Sequence, residues 1–294
     1  MKKETFKFGE NKLFGVIWKP DNEPKAVIQI CHGITEHIGR YEEFAEIFVK
    51  NDIAVIGCDL PGHGQSTTKT PAYFGNWMEV VEEIHLLSQI GHSTFPNIPY
   101  IMLGFSLGSF LARTYVCKYH DVNKLILIGT GQKPKLVLNM IHFLVSKEAK
   151  KIGEENTNDF IKKLSFDEYN KSFSPNKTTC DWLCKDETSL QAYLTDSLCQ
   201  KEISAGLFRE LLFGMIYTSD KSNIENMQKI PILILSGEDD PVGDFKKGVI
   251  STKNLFEKMK LNVAIAFVDG RHDILHESTK NKVYDFILDW LDIK

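Results

Sequence analysis

Gly104-Phe-Ser-Leu-Gly108 sets a serine between two glycines. The apolar run 100–103 stands directly before it, and helical text over 107–120 follows. At such a strand-to-helix turn the serine hydroxyl is exposed at the top of a sheet, where it can act as a nucleophile. Flanking glycines allow so tight a turn, and the helix N-terminus beyond Ser106 favours developing negative charge. The plainer alternative is a serine N-cap in an ordinary loop.

A serine hydroxyl is a weak nucleophile until a base takes its proton, and the base needs an acid to fix its tautomer. Both partners follow in the order acid, then histidine. The run 232–236 leads into Gly-Glu-Asp-Asp-Pro-Val242, and the run 263–268 leads into Asp-Gly-Arg-His272. Asp240, three residues past Gly237 and pinned by Pro241, is the preferred acid. Asp239 is the runner-up, and a solvated acidic loop is the bland reading. His272 is preferred over His276, which is expected about a turn into the following helix. Attack on a carbonyl also needs two backbone donors for the oxyanion. The N–H of Leu107, next after the nucleophile, supplies one. The loop His32-Gly-Ile-Thr-Glu-His37 supplies the other, with Ile34 N–H the choice, although His32-Gly33 also reads as a simple tight turn.

These residues need a scaffold, and the runs 26–31, 53–58, 100–105, 125–128, 232–236 and 263–268 provide it. They are nearly continuous rather than alternating, as in strands buried on both faces of a parallel sheet. Helical stretches at 40–51, 77–91, 107–120, 249–259 and 283–291 separate several of them, which gives a doubly wound α/β sheet. Ahead of it, 5–8 and 13–18 read as an antiparallel edge hairpin turning near Gly9 to Lys12. The alternation breaks over 132–225, where only amphipathic helical text is found. That block is expected to be a helical cap (lid) inserted after the fifth buried core strand, over the carboxyl ends of the strands. The core is then 1–131 with 226–294.

Composition narrows the classes. With 294 residues, 43% of them hydrophobic and 25% charged, the chain can bury an ordinary core. A net charge of −4 argues against a nucleic-acid partner. The 13 basic and 14 acidic residues of 132–225 form no polyanion patch. No apolar run approaches the roughly 18 residues that span a bilayer. Met-Lys-Lys-Glu-Thr-Phe-Lys-Phe lacks the apolar region of a signal peptide, so a reducing cytoplasm with reduced thiols is expected. Cys31, Cys58 and Cys117 sit in apolar segments as small hydrophobes. Cys180 and Cys184 are a helical turn apart with no second pair at zinc-ligand spacing, so no metal site is expected. No G-x-G-x-x-G or phosphate-loop sequence follows any strand.

His32-Gly-x-x-Glu-His-x-x-Arg-Tyr41, Asp59-Leu-Pro-Gly-His-Gly-Gln-Ser66, Gly104-Phe-Ser-Leu-Gly108, Gly237-x-x-Asp-Pro-Val242 and Gly270-Arg-His272 occur in that order. Together they resemble the α/β-hydrolase superfamily, and within it the monoacylglycerol lipase / lysophospholipase-like group, whose domain is also labelled serine aminopeptidase. The resemblance covers most of 1–131 and 226–294. It implies Ser106 as nucleophile, Asp240 and His272 as the other triad members, Ile34 and Leu107 as oxyanion-hole residues, and no cofactor. Asp59 to Ser66 resembles a structural turn of the family, and Glu36, His37, Arg40 and Tyr41 are expected to brace the oxyanion loop.

The resemblance implies a serine carboxylic-ester hydrolase acting through an acyl-enzyme on a small lipid-like ester. An aminopeptidase or amidase is the second reading, with Glu154, Glu155 and Asp159 available to hold an ammonium. A ligand-binding receptor on the same fold is the non-enzyme alternative. In the cap, Leu136, Met140, Phe143 and Leu144, then Leu207, Leu211, Leu212, Met215 and Ile216, read first as packing of cap on core. Some could line an acyl tunnel. The stretch 136–145, beside Lys147, Lys150 and Lys151, could instead make transient contact with a membrane surface.

Overall fold

A computed structural model of the chain describes residues 1–66, 72–199 and 202–293. Its eight strands are β1 (Lys2–Phe8), β2 (Leu13–Lys19), β3 (Ala26–Cys31), β4 (Ile53–Cys58), β5 (Tyr100–Phe105), β6 (Lys124–Ile128), β7 (Ile232–Gly237) and β8 (Val263–Val268). They form one sheet in the order β1-β2-β4-β3-β5-β6-β7-β8. The pairs β1–β2 and β2–β4 are antiparallel; every other pair is parallel. This is the α/β-hydrolase arrangement, and β1 with β2 is the expected edge hairpin.

Strands β3 to β7 are Val-, Ile- and Leu-rich and almost wholly buried, because helices cover both faces. On one face lie α1 (Glu42–Lys50) and α11 (Lys280–Leu291), packing Phe44, Phe48, Tyr284 and Ile287 against Ile28, Val55 and Leu233. On the other lie α2 (Trp77–Thr94), α3 (Leu107–Lys118) and α10 (Lys247–Lys258), which bring in Trp77, Leu111 and Phe256. Strand β8 departs from the sequence expectation of burial on both faces. It is a sheet edge with β7 as its one neighbour, so most of its side chains are half-exposed.

Between β6 and β7 the described residues form α4 (Lys135–Ile152), α5 (Asp159–Lys162), α6 (Glu168–Lys171), α7 (Glu187–Thr195), α8 (Ala205–Tyr217) and α9 (Lys221–Glu225). Residues 200 and 201 of the expected insertion lie outside the described ones. Helix α4 packs on α8, and α8 rests on α2 and α3. The face of α4 turned inward carries Leu138, Val145 and Ala149. The stripe expected to pack on the core is instead the outward face: Leu136 is 83% exposed, Met140 58% and Phe143 60%. The reason is angular, since 138, 145 and 149 recur on the side of the helix opposite 136, 140 and 143.

Candidate active site

Parallel strands all point their carboxyl ends one way, so the loops after β3, β5, β7 and β8 converge at one rim. Ser106 follows β5 directly. It holds φ 51° and ψ −117°, a strained turn for a residue with a Cβ, and its side chain makes no capping bond to helix α3. Two bonds pin the turn: Ser106 N–H donates to Ile128 O at 2.9 Å, and Ser109 N–H donates to Ser106 O at 2.8 Å. Backbone closeness explains the glycines. A Cβ on Gly108 would lie 1.9 Å from Cys31 O, and one on Gly104 would lie 2.3 Å from Gly108 O.

The hydroxyl of Ser106 sits 2.8 Å from His272 Nε2, and His272 Nδ1 sits 2.9 Å from Asp240 Oδ1. Asp240 is fully buried, and its Oδ1 also accepts the Val242 N–H at 2.8 Å. A carboxylate acceptor there puts the ring proton on Nδ1 and leaves the Nε2 lone pair facing the serine hydroxyl. Glu238 and Asp239 go elsewhere, into half-exposed ion pairs with Lys246 at 3.0 Å and Lys185 at 2.9 Å. His276 lies in the loop before α11 rather than in the helix. It bonds Asp273 at 2.8 Å and Arg40 O at 3.0 Å.

Beside the hydroxyl, Leu107 opens helix α3, so its N–H has no intrahelical partner. Ile34 precedes Thr35, whose φ of 65° turns the loop after β3 sharply. A buried network braces that loop. Glu36 accepts the Gly33 N–H at 2.6 Å and the Tyr41 hydroxyl at 2.7 Å, and it also pairs with Arg40. Arg40 reaches on to Asp273 at 2.9 Å, joining the loop after β3 to the loop that carries His272. Burial pushes the Asp273 carboxyl up, but His276 and Arg40 outweigh it and hold the group well below the usual carboxylate range. Asp273 was not singled out from sequence, although an acid directly after His272 is a visible signal.

Three further residues went unread: Trp182, Leu183 and Tyr193. They line the site together with Ile34, Phe105 and Ser106, leaving a cavity of only about 10 Å³, at the lower limit for one water. The Trp182 ring lies 5.1 Å from His272, and the Tyr193 hydroxyl is 2.8 Å from Thr35 Oγ1. No local periodicity marks them, because their contacts reach across the fold. Of the carboxylates weighed for holding an ammonium, Glu154 is bound by Arg209 and by the Tyr73 hydroxyl. Neither Glu154, Glu155 nor Asp159 lines this cavity.

Among the described residues, His37, Asp196 and Cys199 bring metal-type ligand atoms within 4.8 Å of one another. His37 Nδ1 accepts the Gly39 N–H at 3.2 Å, so the ring proton lies on Nε2 and is donated to Asp196 at 2.9 Å. With both ring nitrogens engaged, no lone pair faces a metal. The trio ties the loop after β3 to the end of α7.

The turn Asp59 to Ser66 supports the site from below. Asp59 accepts the Ile38 and Gln65 N–H groups, each at 2.7 Å. His32 Nε2 accepts the Leu60 N–H at 2.9 Å. His63 donates to Pro61 O, and burial pushes its imidazole down to about 4. The unfolded chain therefore binds a proton below about pH 6.5 that the folded chain refuses until about pH 4. Stability from this group is intact above pH 6.5 and lost as pH falls, by about 3 kcal/mol in all. A His63→Gln variant should show a correspondingly flatter decline between pH 6.5 and 4 in denaturant titrations. An equal slope in both proteins would refute this assignment.

Comparison with known proteins places the chain. A family model described as "Serine aminopeptidase, S33" matches residues 22–279. Monoglyceride lipase of Homo sapiens is 27% identical over 95% of this chain and 86% of its own length. Phospholipase YtpA of Bacillus subtilis is 27% identical over 77% of this chain and 80% of its own. Among solved structures, a thermostable carboxyl esterase from Bacillus coagulans superposes with a TM-score of 0.89 at 21% identity, covering 99% of this chain and 98% of that one.

Proposed function

Because the chain belongs to the serine aminopeptidase S33 family of α/β-hydrolases, in its monoacylglycerol lipase-like group, we propose that it hydrolyses carboxylic esters of lipid-like alcohols through an acyl-enzyme. The observation that carries the reading is the unbroken chain of hydrogen bonds Ser106–His272–Asp240. Ser106 Oγ attacks the ester carbonyl as His272 Nε2 takes its proton. The oxyanion settles against the N–H groups of Ile34 and Leu107. His272 returns the proton to the alcohol leaving group, Asp240 offsets the imidazolium charge, and water then releases the acid by the same route in reverse.

Residues 132–225 act in this reading as a cap, and the cap must open. A cavity of about 10 Å³ admits no ester, so Trp182, Leu183 and Tyr193 move aside for substrate. Beneath α4 a second cavity of about 60 Å³ is lined mainly by apolar side chains, among them Leu138, Ile141, Phe208, Leu211 and Met215, and it must widen before an acyl chain can enter. An ester is favoured over an aminopeptide. Among the described residues the one carboxylate lining the site cavity is Glu36, and it is already engaged by Gly33, Arg40 and Tyr41 rather than free for a substrate ammonium.

The outward stripe of α4 gives the cap its approach to substrate. Leu136, Met140, Phe143 and Leu144 form an exposed apolar strip, and Lys147 lies 5.4 Å over the Phe143 ring. Lys150 and Lys151 continue the charge. Such a strip rests in the headgroup region of an anionic bilayer. Among the described residues no helix is long and apolar enough to cross one.

One assay tests both parts. Monoacylglycerol should be hydrolysed at least tenfold faster in anionic vesicles than in zwitterionic ones, while an aminoacyl anilide is left intact. Phe143→Glu should remove the vesicle advantage and leave turnover of a short soluble ester within about twofold. Anilide cleavage exceeding ester cleavage would overturn the ester reading, and vesicle rates indifferent to Phe143 would overturn the surface contact.

A further inference from the structure

The guanidinium of Arg271, one residue before His272, has no counter-ion: among the described residues no carboxylate lies within ion-pair distance. Its Nη1 donates to the backbone carbonyls of Asp181 and Cys184, and its Cζ lies 4.2 Å over the Phe173 ring. Nε is buried with no acceptor, and among the described residues the guanidinium's hydrogen bonds are both made by Nη1, leaving Nη2 without one. Those two nitrogens form the edge of the guanidinium that grips a carboxylate or phosphate with two parallel bonds. Nε is thus a buried donor left unmade, which is costly, and a planar or tetrahedral oxyanion is the partner that the geometry of this edge suits.

Arg271 also borders the space such an anion would need. A cavity of about 410 Å³, within the range of small-molecule sites, is lined by Arg271, Phe173, Lys177, Thr178, Lys185 and Gln191. Two acids share the lining, and both are occupied. Asp181 turns its carboxylate back into its own loop, accepting the Lys177 and Thr178 N–H groups at 2.6 and 3.0 Å and the Thr178 hydroxyl at 2.5 Å. Glu187 pairs with Lys177 at the mouth, where both are about three-quarters exposed. An exposed pair of that kind is worth little, so an incoming anion exchanges with Glu187 at small cost.

We propose that this cavity is a binding site for a phosphate group, with Arg271 as its anchor and Lys177 at its mouth. The position gives the site a consequence for the reaction. Trp182 and Leu183, which roof Ser106 and His272, lie between Asp181 and Cys184, the two carbonyls that hold Arg271 Nη1. Leu183 O accepts the Asp273 N–H at 2.7 Å. An anion that draws the guanidinium toward itself loosens these ties, so occupancy of the cavity favours an open roof. The phosphate comes either from the headgroup of a lysophospholipid substrate, which rests on the ester-hydrolase reading, or from a free phosphate ester acting as effector.

Titration calorimetry with inorganic phosphate and glycerol phosphate, on the full chain carrying Ser106→Ala, reads the site without any turnover. Binding is expected in the millimolar range or tighter, weakening with added salt. Arg271→Gln should reduce affinity at least tenfold. Because Arg271 also holds the roof, Lys177→Gln serves as the second variant, with about threefold weaker binding and an unchanged melting temperature. Absence of binding, or equal affinity in all three proteins, overturns the site and leaves the ester-hydrolase reading untouched. In the Ser106 protein, Arg271→Gln raising KM for lysophosphatidic acid but not for the matching monoacylglycerol identifies a substrate headgroup. Activation of both substrates by free glycerol phosphate, lost in Arg271→Gln, identifies an effector.

Discussion

Ser106→Ala should lower ester turnover by about 10⁴- to 10⁶-fold while leaving the melting temperature within a few degrees. The size of the loss follows from what is removed. Among the described residues His272 Nε2 has the Ser106 hydroxyl as its one partner, and without that oxygen there is no atom to form the proposed acyl bond. What survives is the proposed pair of backbone donors at Ile34 and Leu107 and the binding of substrate, which together sustain only a residual rate. Stability is spared for a separate reason. Alanine meets the same φ of 51° with the same Cβ, so no strain is added, and the backbone bonds to Ile128 and Ser109 involve no part of the lost hydroxyl. Turnover of p-nitrophenyl esters checks the rate and fluorophosphonate labelling checks the nucleophile. Undiminished hydrolysis, or labelling that persists in the alanine protein, would remove Ser106 from the reaction.

What was legible beforehand divides along a physical line. Buried parallel strands announce themselves by unbroken apolar runs, and their ends by Gly, Ser and Asp, so the elements carrying Ser106, Asp240 and His272 could be read in order. The glycines at 104 and 108 were legible because the close backbone approach admits no Cβ. The face of α4 was not. Its sequence has apolar residues on both sides, Leu138 and Val145 inward, Leu136 and Phe143 outward, and periodicity alone cannot say which side finds α8. The roof escaped for the same reason: Trp182 and Tyr193 meet His272 and Thr35 across long sequence separations. The edge strand β8 looked buried because its neighbours in the sheet, not its residues, decide its exposure. Choosing among Glu238, Asp239 and Asp240 turned on side-chain direction at a loop, where adjacent residues point apart.

That choice yields the other large expected effect. Asp240→Asn should lower kcat by about 10⁴-fold, whereas Asp239→Asn should change it less than threefold. Asp240 is fully buried, 2.9 Å from His272 Nδ1, with Val242 N–H on the same oxygen. If asparagine keeps its oxygen on Val242, the ring holds its tautomer but loses the negative charge that offsets the imidazolium inside a dry site, where such a charge counts most. If the amide turns, its N–H₂ faces Nδ1, the ring proton moves to Nε2, and the base can no longer take the proton of Ser106. Either orientation slows both halves of the reaction, so acylation and deacylation should fall together in single-turnover measurements. Asp239 holds Lys185 at 2.9 Å with half its side chain in water, and losing an exposed pair of that kind costs little. The two variants differ by one position and nearly nothing in volume, so their contrast isolates the carboxylate behind the histidine. A collapse of kcat in Asp239→Asn with activity retained in Asp240→Asn would reassign the acid and, with it, the orientation of the imidazole.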